Sequence, residues 1–342
     1  MTLADYMADC LLHPEHGYYT TRTPFGAQGD FTTAPEISQM FGELLGLCLA
    51  QTWLDQGAPP GFVLAELGPG RGTLMADVLR ATARVPGFHA AARVMLVEAS
   101  PRLRAQQRAT LGTHAVEWRD HVDELPHGPL YLLANEFFDA LPIRQFTRDA
   151  RGWAETVVTE ADGKLALART PPMPLALLDH RLTDTTPGDV VEICPAAPPI
   201  MAALAMRIAN HGGVALIIDY GGWKSRGDTF QAMRHHAFTD PLAEPGHADL
   251  TAHVDFAALA AAALPCSTAY ASQGAVLEAL GIAQRSTTLA ARLTGAALQN
   301  HLAATHRLTH PDAMGQLFKV LALHPTGTPL PPGFAPETRG QP

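Results

Sequence analysis

A doubly wound α/β sheet with an N-terminal helical extension and insertions is the fold class that this 342-residue sequence predicts. Three observations carry it. Short candidate strands recur at residues 62–67, 93–98, 114–118, 130–134 and 214–219, several of them continuously apolar, as parallel strands covered on both faces require. Segments with helical spacing fall between them at 73–84, 101–111 and 198–211, which is the alternation of crossover units. The turn Gly68-Pro69-Gly70-Arg71-Gly72 joins the first run to the first of these helices.

The other elements follow in chain order. Residues 1–19 hold an amphipathic helix (Leu3, Met7, Leu11) that ends at His13-Pro14. A polar loop runs from Phe25 to Ile37, and a helix carrying Ile37, Met40, Phe41, Leu44, Leu45, Leu47 and Cys48 continues until Pro59-Pro60-Gly61 stops it. The 78 residues between 136 and 213 exceed one crossover. Extra antiparallel strands are expected at 143–148 and 153–169, broken at Asp162-Gly163, before a Pro-rich link at 171–174. After 220, a long loop leads to a helix at 254–263, a strand near 267–271, helices at 274–280 and 287–306, and a terminal strand at 317–323. The domain reading is a helical and lid region over 1–60, a sheet domain over 61–323 with insertions at 143–197 and about 272–312, and a mobile Pro-rich tail over 324–342.

With 24 basic and 33 acidic side chains the formal charge is −9, which argues against a dedicated nucleic-acid binder, whose footprint is a basic face. The four cysteines (Cys10, Cys48, Cys194, Cys266) are scattered, with neither a disulfide framework nor zinc spacing, so no metal is expected and a reducing compartment is. The first twenty residues carry acids and no Lys or Arg, unlike a signal peptide, and no apolar run reaches the ~20 residues of a membrane span. A cytoplasmic protein is the expectation. Oligomeric state is left open, a homodimer included.

Glu66-Leu67-Gly68-Pro69-Gly70-Arg71-Gly72-Thr73 is the sharpest local signal. Glycines let backbone approach a ligand closely, and a helix N-terminus offers unpaired N–H groups. The spacing is G-x-G-x-G rather than the G-x-G-x-x-G of dinucleotide binding, which disfavours an NAD-dependent oxidoreductase. S-adenosylmethionine fits better: it carries an ammonium that Glu66 can neutralise, directly or through water, and no pyrophosphate. Gly68, Gly70, Gly72 and Thr73 would line the adenosyl and methionyl parts. Glu98, at the end of the second strand, suits a carboxylate gripping both ribose hydroxyls. Asp120, after the third strand, either accepts from the adenine amino group or caps a loop. Thr33 belongs to the loop 29–38, whose Asp30, Thr32, Thr33, Glu36 and Ser38 either close over the ligands or begin a helix at Pro35-Glu36.

Gly17-Tyr18-Tyr19, Gly29 to Gln39 (GDFTTAPEISQ), Phe41-Gly42-Glu43, Glu66 to Thr73, Asn135 to Pro142 (NEFFDALP), Ile218-Asp219-Tyr220-Gly221, Asp249 to Phe256 (DLTAHVDF) and Met314 to Leu321 (MGQLFKVL) together resemble the signature blocks of the MidA-type methyltransferases. These are relatives of the mitochondrial complex I assembly factor that methylates an arginine. The match spans about residues 3–323. It implies a class I methyltransferase (Rossmann-like) fold with insertions, S-adenosylmethionine as donor, and a protein substrate presenting an arginine, such as a respiratory complex I subunit. The chain starts slightly inside the family's usual N-terminal helix region and has no mitochondrial presequence, as a bacterial member would.

On the acceptor side, Asn135-Glu136-Phe137-Phe138-Asp139 follows the fourth strand. Ligands of open α/β sheets bind at the carboxyl ends of strands near the switch point. Two acids three residues apart, with aromatics between, suit a cationic guanidinium. Glu136 is the first candidate to orient the acceptor and take its proton, Asp139 the second, and Asn135 joins them as the third catalytic candidate. The competing reading makes Asn135 a helix N-cap, the acids its dipole partners and the Phe pair core. His253, Asp255 and Asp249 read as capping groups and a pocket wall rather than a metal set. A donor-binding assembly protein without transfer activity is the alternative from another class.

Overall fold

The computed structural model describes residues 1–21 and 32–335. The chain forms two compact units: Met1–Phe31, Phe138–Pro198 and Gly221–Leu259 make one, and Thr32–Phe137, Pro199–Tyr220 and Ala260–Pro342 the other. The loop positions Phe25 to Phe31, including Gly29 and Asp30, lie outside the described residues.

The larger unit is built on strands β1 (Phe62–Leu67), β2 (Ala92–Val97), β3 (Val116–Arg119), β4 (Leu130–Asn135), β5 (Gly213–Gly222), β6 (Ser267–Ser272) and β7 (Phe318–His324). Their order across the sheet is β6-β7-β5-β4-β1-β2-β3. β1 pairs in parallel with β2 and β4, and β4 in parallel with β5. β7 runs antiparallel to both β5 and β6. The chain order reverses between β1 and β4, which makes their carboxyl ends the switch point where ligands of such sheets bind.

Local sequence explains the elements. Every residue of β1 (FVLAEL) is buried, and Phe62, Leu64 and Glu66 share one face because side chains alternate. Phe62 and Leu64 join a core with Met75, Val78, Leu45 and Leu49 from the helices Thr73–Thr82 and Gln39–Asp55. Gly42 and Gly46 let those two helices touch: a Cβ on Gly42 would lie 2.6 Å from Asp77 Cβ, and one on Gly46 2.9 Å from Val78 Cα. Ser38 starts the Gln39–Asp55 helix by accepting from Met40 N–H at 3.3 Å. Three further helices, Gln273–Ala279, Ile282–Ala290 and Gly295–Thr309, occupy the stretch before β7.

The expectation of a mobile tail is corrected for the described part. Leu330 and Phe334 pack against the core of the larger unit, and Cys48 Sγ donates to Pro332 O at 3.2 Å. Proline content removes backbone donors but does not stop two apolar side chains from burying themselves.

In the smaller unit, helix Leu3–Leu12 opens on a capping box: Thr2 Oγ1 accepts from Asp5 N–H, and Asp5 accepts from Thr2 N–H. Its Leu3, Met7 and Leu11 meet Ile143, Val158 and Leu250 in one core. A four-stranded antiparallel sheet orders Lys164–Arg169, Gly152–Ala161, Arg144–Asp149 and Val190–Ile193. A three-stranded sheet (Ala237–Thr239, Gln231–Arg234, Asp249–Thr251) occupies part of what the sequence suggests is loop. Its strands are three or four residues long, too short for a periodic signal. No helix among the described residues is long and apolar enough to cross a membrane.

Candidate active site

β1 delivers Glu66 to the switch point. Its side chain is 2% exposed, and Oε2 has no hydrogen-bond partner among the described residues. Burial pushes its carboxyl up to about 8, and a hydrogen bond from the Met75 backbone pulls only weakly the other way. A buried acid with an unmatched oxygen is what a bound ammonium would satisfy.

The turn that follows holds Gly68, Gly70 and Gly72 at φ values of 58°, 51° and 81°, in the left-handed region that glycine enters freely. Gly68 is also crowded, since a Cβ there would stand 2.9 Å from Phe137 Cδ2. The turn is braced from outside. Glu36, in the short helical turn Ala34–Ile37, accepts from Arg71 Nη1 at 3.2 Å and from Thr73 Oγ1 at 2.5 Å. Glu36 therefore contacts the glycine turn from within a short helical turn, which is the helix start that Pro35-Glu36 offers. Thr33 takes the N-cap position of that turn without a side-chain capping bond. The Thr73 hydroxyl donates its proton to Glu36 at the start of the helix Thr73–Thr82.

At the end of β2, Glu98 Oε1 accepts from Ser100 N–H at 2.8 Å and Oε2 from Gln107 Nε2 at 3.2 Å. Burial raises the Glu98 carboxyl above the ordinary range, against these donors. Asp120 is 57% exposed and accepts from Arg104 Nη2 at 2.6 Å, and Arg104 Nε also donates to Glu98 O at 2.6 Å. That arrangement favours the loop-bracing reading of Asp120 over an adenine contact.

Asn135 is the last residue of β4, not a helix cap. Its Nδ2 donates to Glu136 Oε1 at 3.0 Å, and the Ala34 N–H donates to the same oxygen at 3.2 Å. Asn135 Oδ1 is buried without a hydrogen-bond partner among the described residues. Glu136 has φ 51°, uncommon for a residue with a side chain, and its own N–H donates to Ile218 O at 2.9 Å. Such an outlier is sustained only where the surroundings over-determine it, here the Ile218 carbonyl and the Ala34 N–H. Asp139 is buried in the smaller unit, where its carbonyl accepts from Ala252 N–H. Nearby, Tyr19 donates to Asp249 Oδ1 at 2.7 Å. Asp255 Oδ1 accepts from Ala258 N–H at 2.9 Å as the cap of helix Phe256–Ala262, and its Oδ2 accepts from Ser225 N–H at 3.1 Å. The His253 N–H donates to Thr229 Oγ1 at 2.8 Å. Among the described residues no three His, Cys, Asp or Glu side chains converge as a metal set.

Sequence reasoning missed Gln107 at this site. Leu103, Gln107 and Leu111 form the buried stripe of helix Pro101–Leu111, so a polar residue in the middle of an i, i+4 apolar series was the available signal. It also left Glu36 without a partner, because Arg71 and Thr73 lie more than thirty residues away in sequence.

The chain is similar to known methyltransferases. A family model described as an S-adenosyl-L-methionine-dependent methyltransferase matches residues 44–272. The chain is 36% identical over 371 residues to the protein arginine methyltransferase NDUFAF7, mitochondrial, of Xenopus tropicalis, covering 98% of this chain and 86% of that one. The human protein of the same name is 36% identical over 357 residues, with 95% and 80% covered. A crystal structure from Burkholderia thailandensis, bound to S-adenosyl-homocysteine, superposes with a TM-score of 0.84 at 30% identity, covering 97% of this chain and 89% of that one. The expectation of a cytoplasmic protein is corrected, since these curated relatives are named as mitochondrial proteins, and being animal proteins they lend no support to a bacterial source either. The unmatched carboxylate oxygen of Glu66 and the left-handed glycine turn fit S-adenosyl-L-methionine as the donor, and the chain belongs to this family of S-adenosyl-L-methionine-dependent methyltransferases.

Proposed function

We propose that the protein N-methylates an arginine side chain of a protein substrate, with Glu136 orienting the acceptor. The observation that carries this reading is the placement of Glu136. It follows β4 at the switch point, in a left-handed conformation, with one carboxylate oxygen held by two neutral donors, Asn135 Nδ2 and Ala34 N–H. These donors hold one oxygen of the carboxylate in place, and carboxylates grip a guanidinium through paired N–H bonds. The relatives named as protein arginine methyltransferases support the same acceptor.

When bound, S-adenosyl-L-methionine supplies a methyl group on a cationic sulfur and leaves as S-adenosyl-homocysteine. Glu66 would take its ammonium, the Gly68 to Gly72 backbone would lie against it, and Glu98 would accept from its ribose. The residues on the acceptor side have two roles. Transfer in line needs nitrogen, methyl and sulfur held in register, and positioning of this kind is worth several orders of magnitude in rate. The attacking guanidinium nitrogen also loses a proton, which the Glu136 carboxylate receives during or after attack and passes to solvent. Asp139, three residues along, is the second acid of the proposal. A respiratory complex I subunit is the first substrate to test.

Glu136→Gln keeps the shape and the two neutral contacts and removes the charge. Transfer of labelled methyl to the protein substrate, followed by mass spectrometry of the modified arginine, should fall about a thousandfold or more, while calorimetric binding of S-adenosyl-homocysteine stays within about threefold. Unchanged turnover would remove Glu136 from the mechanism. Donor binding by the wild-type protein with no methylated arginine in any tested substrate would favour a donor-binding assembly role.

A further inference from the structure

Gln107 has no exposed surface, and both ends of its amide are engaged. The Trp118 indole nitrogen can only donate, and it lies 2.8 Å from Gln107 Oε1. That contact decides which end of the amide is oxygen, and so turns Nε2 toward two acceptors: Gly70 O at 2.8 Å and Glu98 Oε2 at 3.2 Å. Trp118 is held in turn by the Arg108 guanidinium, 4.5 Å above its ring. The helix carrying Gln107 is also pressed against the turn, since a Cβ on Gly72 would lie 3.4 Å from Gln107 Cα. One neutral side chain therefore ties the backbone of the glycine turn to the carboxylate at the end of β2.

We infer that Gln107 is a positioning residue for the donor site, holding the Glu98 carboxylate so that both of its oxygens face the two ribose hydroxyls. The inference rests on Glu98 being the ribose acceptor. A carboxylate offers about four lone-pair directions. The Ser100 N–H takes one on Oε1 and Gln107 takes one on Oε2, with a weaker pull from the Ala99 N–H, so each oxygen keeps a direction for one hydroxyl. A glutamate at a strand end otherwise samples several rotamers, and freezing it beforehand means that the ligand does not bear that ordering cost. An amide suits this position better than the alternatives. A Lys or Arg would neutralise the carboxylate and weaken its acceptance from hydroxyls, and an apolar residue would leave Gly70 O and the Trp118 N–H without their partner.

The test compares binding of S-adenosyl-homocysteine with binding of its 2′-deoxy analogue to the full-length protein by calorimetry. Wild type should prefer the ribose form by about tenfold or more, the range expected for one hydroxyl held by a charged acceptor. Gln107→Met, similar in size, should lose most of that preference by weakening the ribose ligand, while the affinity for the deoxy analogue changes by less than about threefold. Gln107→Met that retains the full preference, or weakens both ligands equally, overturns the inference, the second outcome marking a purely structural role. If Gln107→Met does not fold, Trp118→Phe decides in its place: it removes the N–H that orients the amide, together with part of the ring under Arg108, and should reduce the preference in a folded protein, and an unchanged preference counts against the inference. Glu98→Gln separates the two levels. If it keeps the wild-type preference, the ribose reading of Glu98 fails. If it loses the preference while Gln107→Met retains it, only the role of Gln107 fails.

Discussion

Glu43 and Glu66 lie in the same compact unit and are buried to nearly the same degree, 4% and 2% exposed, yet their surroundings are opposite. Glu43, in helix Gln39–Asp55, accepts from Arg80 Nη1 at 2.6 Å and from Arg285 Nε at 2.7 Å. Burial alone would raise its carboxyl, but the two guanidinium groups outweigh that and hold it below the ordinary range. Among the described residues Glu66 has no ion pair and keeps one oxygen without a partner, and burial pushes its carboxyl up to about 8. A buried acid that serves the fold carries its counter-charges within the chain. One that serves a cationic ligand waits for the ligand, and the folded protein is less stable for it. The two glutamates sit in equally recognisable family blocks, so only their surroundings separate Glu43, paired within the fold, from Glu66, the acid proposed to meet the ligand.

Breaking the first half of the comparison should have the largest effect on the fold. Glu43→Ala removes the shared partner of two arginines on different helices and should cost about 2–3 kcal/mol in chemical denaturation; the arginines' partial exposure keeps the loss below the ~3–5 kcal/mol of a fully buried pair. An effect under ~0.5 kcal/mol would mean that helix packing, not charge, holds that layer.

Glu66→Gln should act in the opposite sense. A carboxyl whose folded pKa is raised binds more protons folded than unfolded, so the ligand-free protein loses stability as pH rises from about 4.5 toward 8. The neutral amide removes that loss and should stabilise the ligand-free protein at pH 7 by at most about 3 kcal/mol, at about 1.36 kcal/mol per unit. Donor affinity should drop about tenfold or more in the same variant. Destabilisation with unchanged donor binding would place Glu66 with Glu43 as a structural acid.

The same protonation makes donor binding pH-dependent. If the ammonium is held by ionised Glu66, affinity should rise about tenfold between pH 6 and 7 and level off near 8, where the ligand's own amine, ordinarily near 8, begins to lose its proton. Calorimetry in buffers of different ionisation enthalpy should show a proton released per donor bound at pH 7. A flat profile would argue that Glu66 is already ionised. The smallest change is expected from Asp120→Asn. An exposed bridge to Arg104 is worth ~0.5 kcal/mol or less, and donor affinity should move by less than about threefold. A tenfold loss would return Asp120 to the adenine contact.

Much of this is legible in the sequence because it is local. The apolar runs mark β1, β2, β4 and β5, and Glu66 stands out as the single acid in a buried strand before a glycine turn. Asn135 reads as a candidate helix cap because Asn followed by acids is the usual opening of a helix, whereas the chain instead leaves β4 through a left-handed Glu136. Backbone conformation at such a point depends on the neighbours that over-determine it, here Ile218 O and the Ala34 N–H, and no spacing rule contains them.

By itself, then, the sequence determined the sheet, the glycine turn and the class of donor, since each rests on periodicity or on residues within a few positions of one another. The tertiary structure alone decided the pairings: Glu36 with Arg71 and Thr73, Gln107 with Gly70 and Glu98, and Glu43 with Arg285 across 242 residues. A side chain's pattern is set by its own element, but its partner is set by where another element is packed, and that placement is fixed only when the whole core closes.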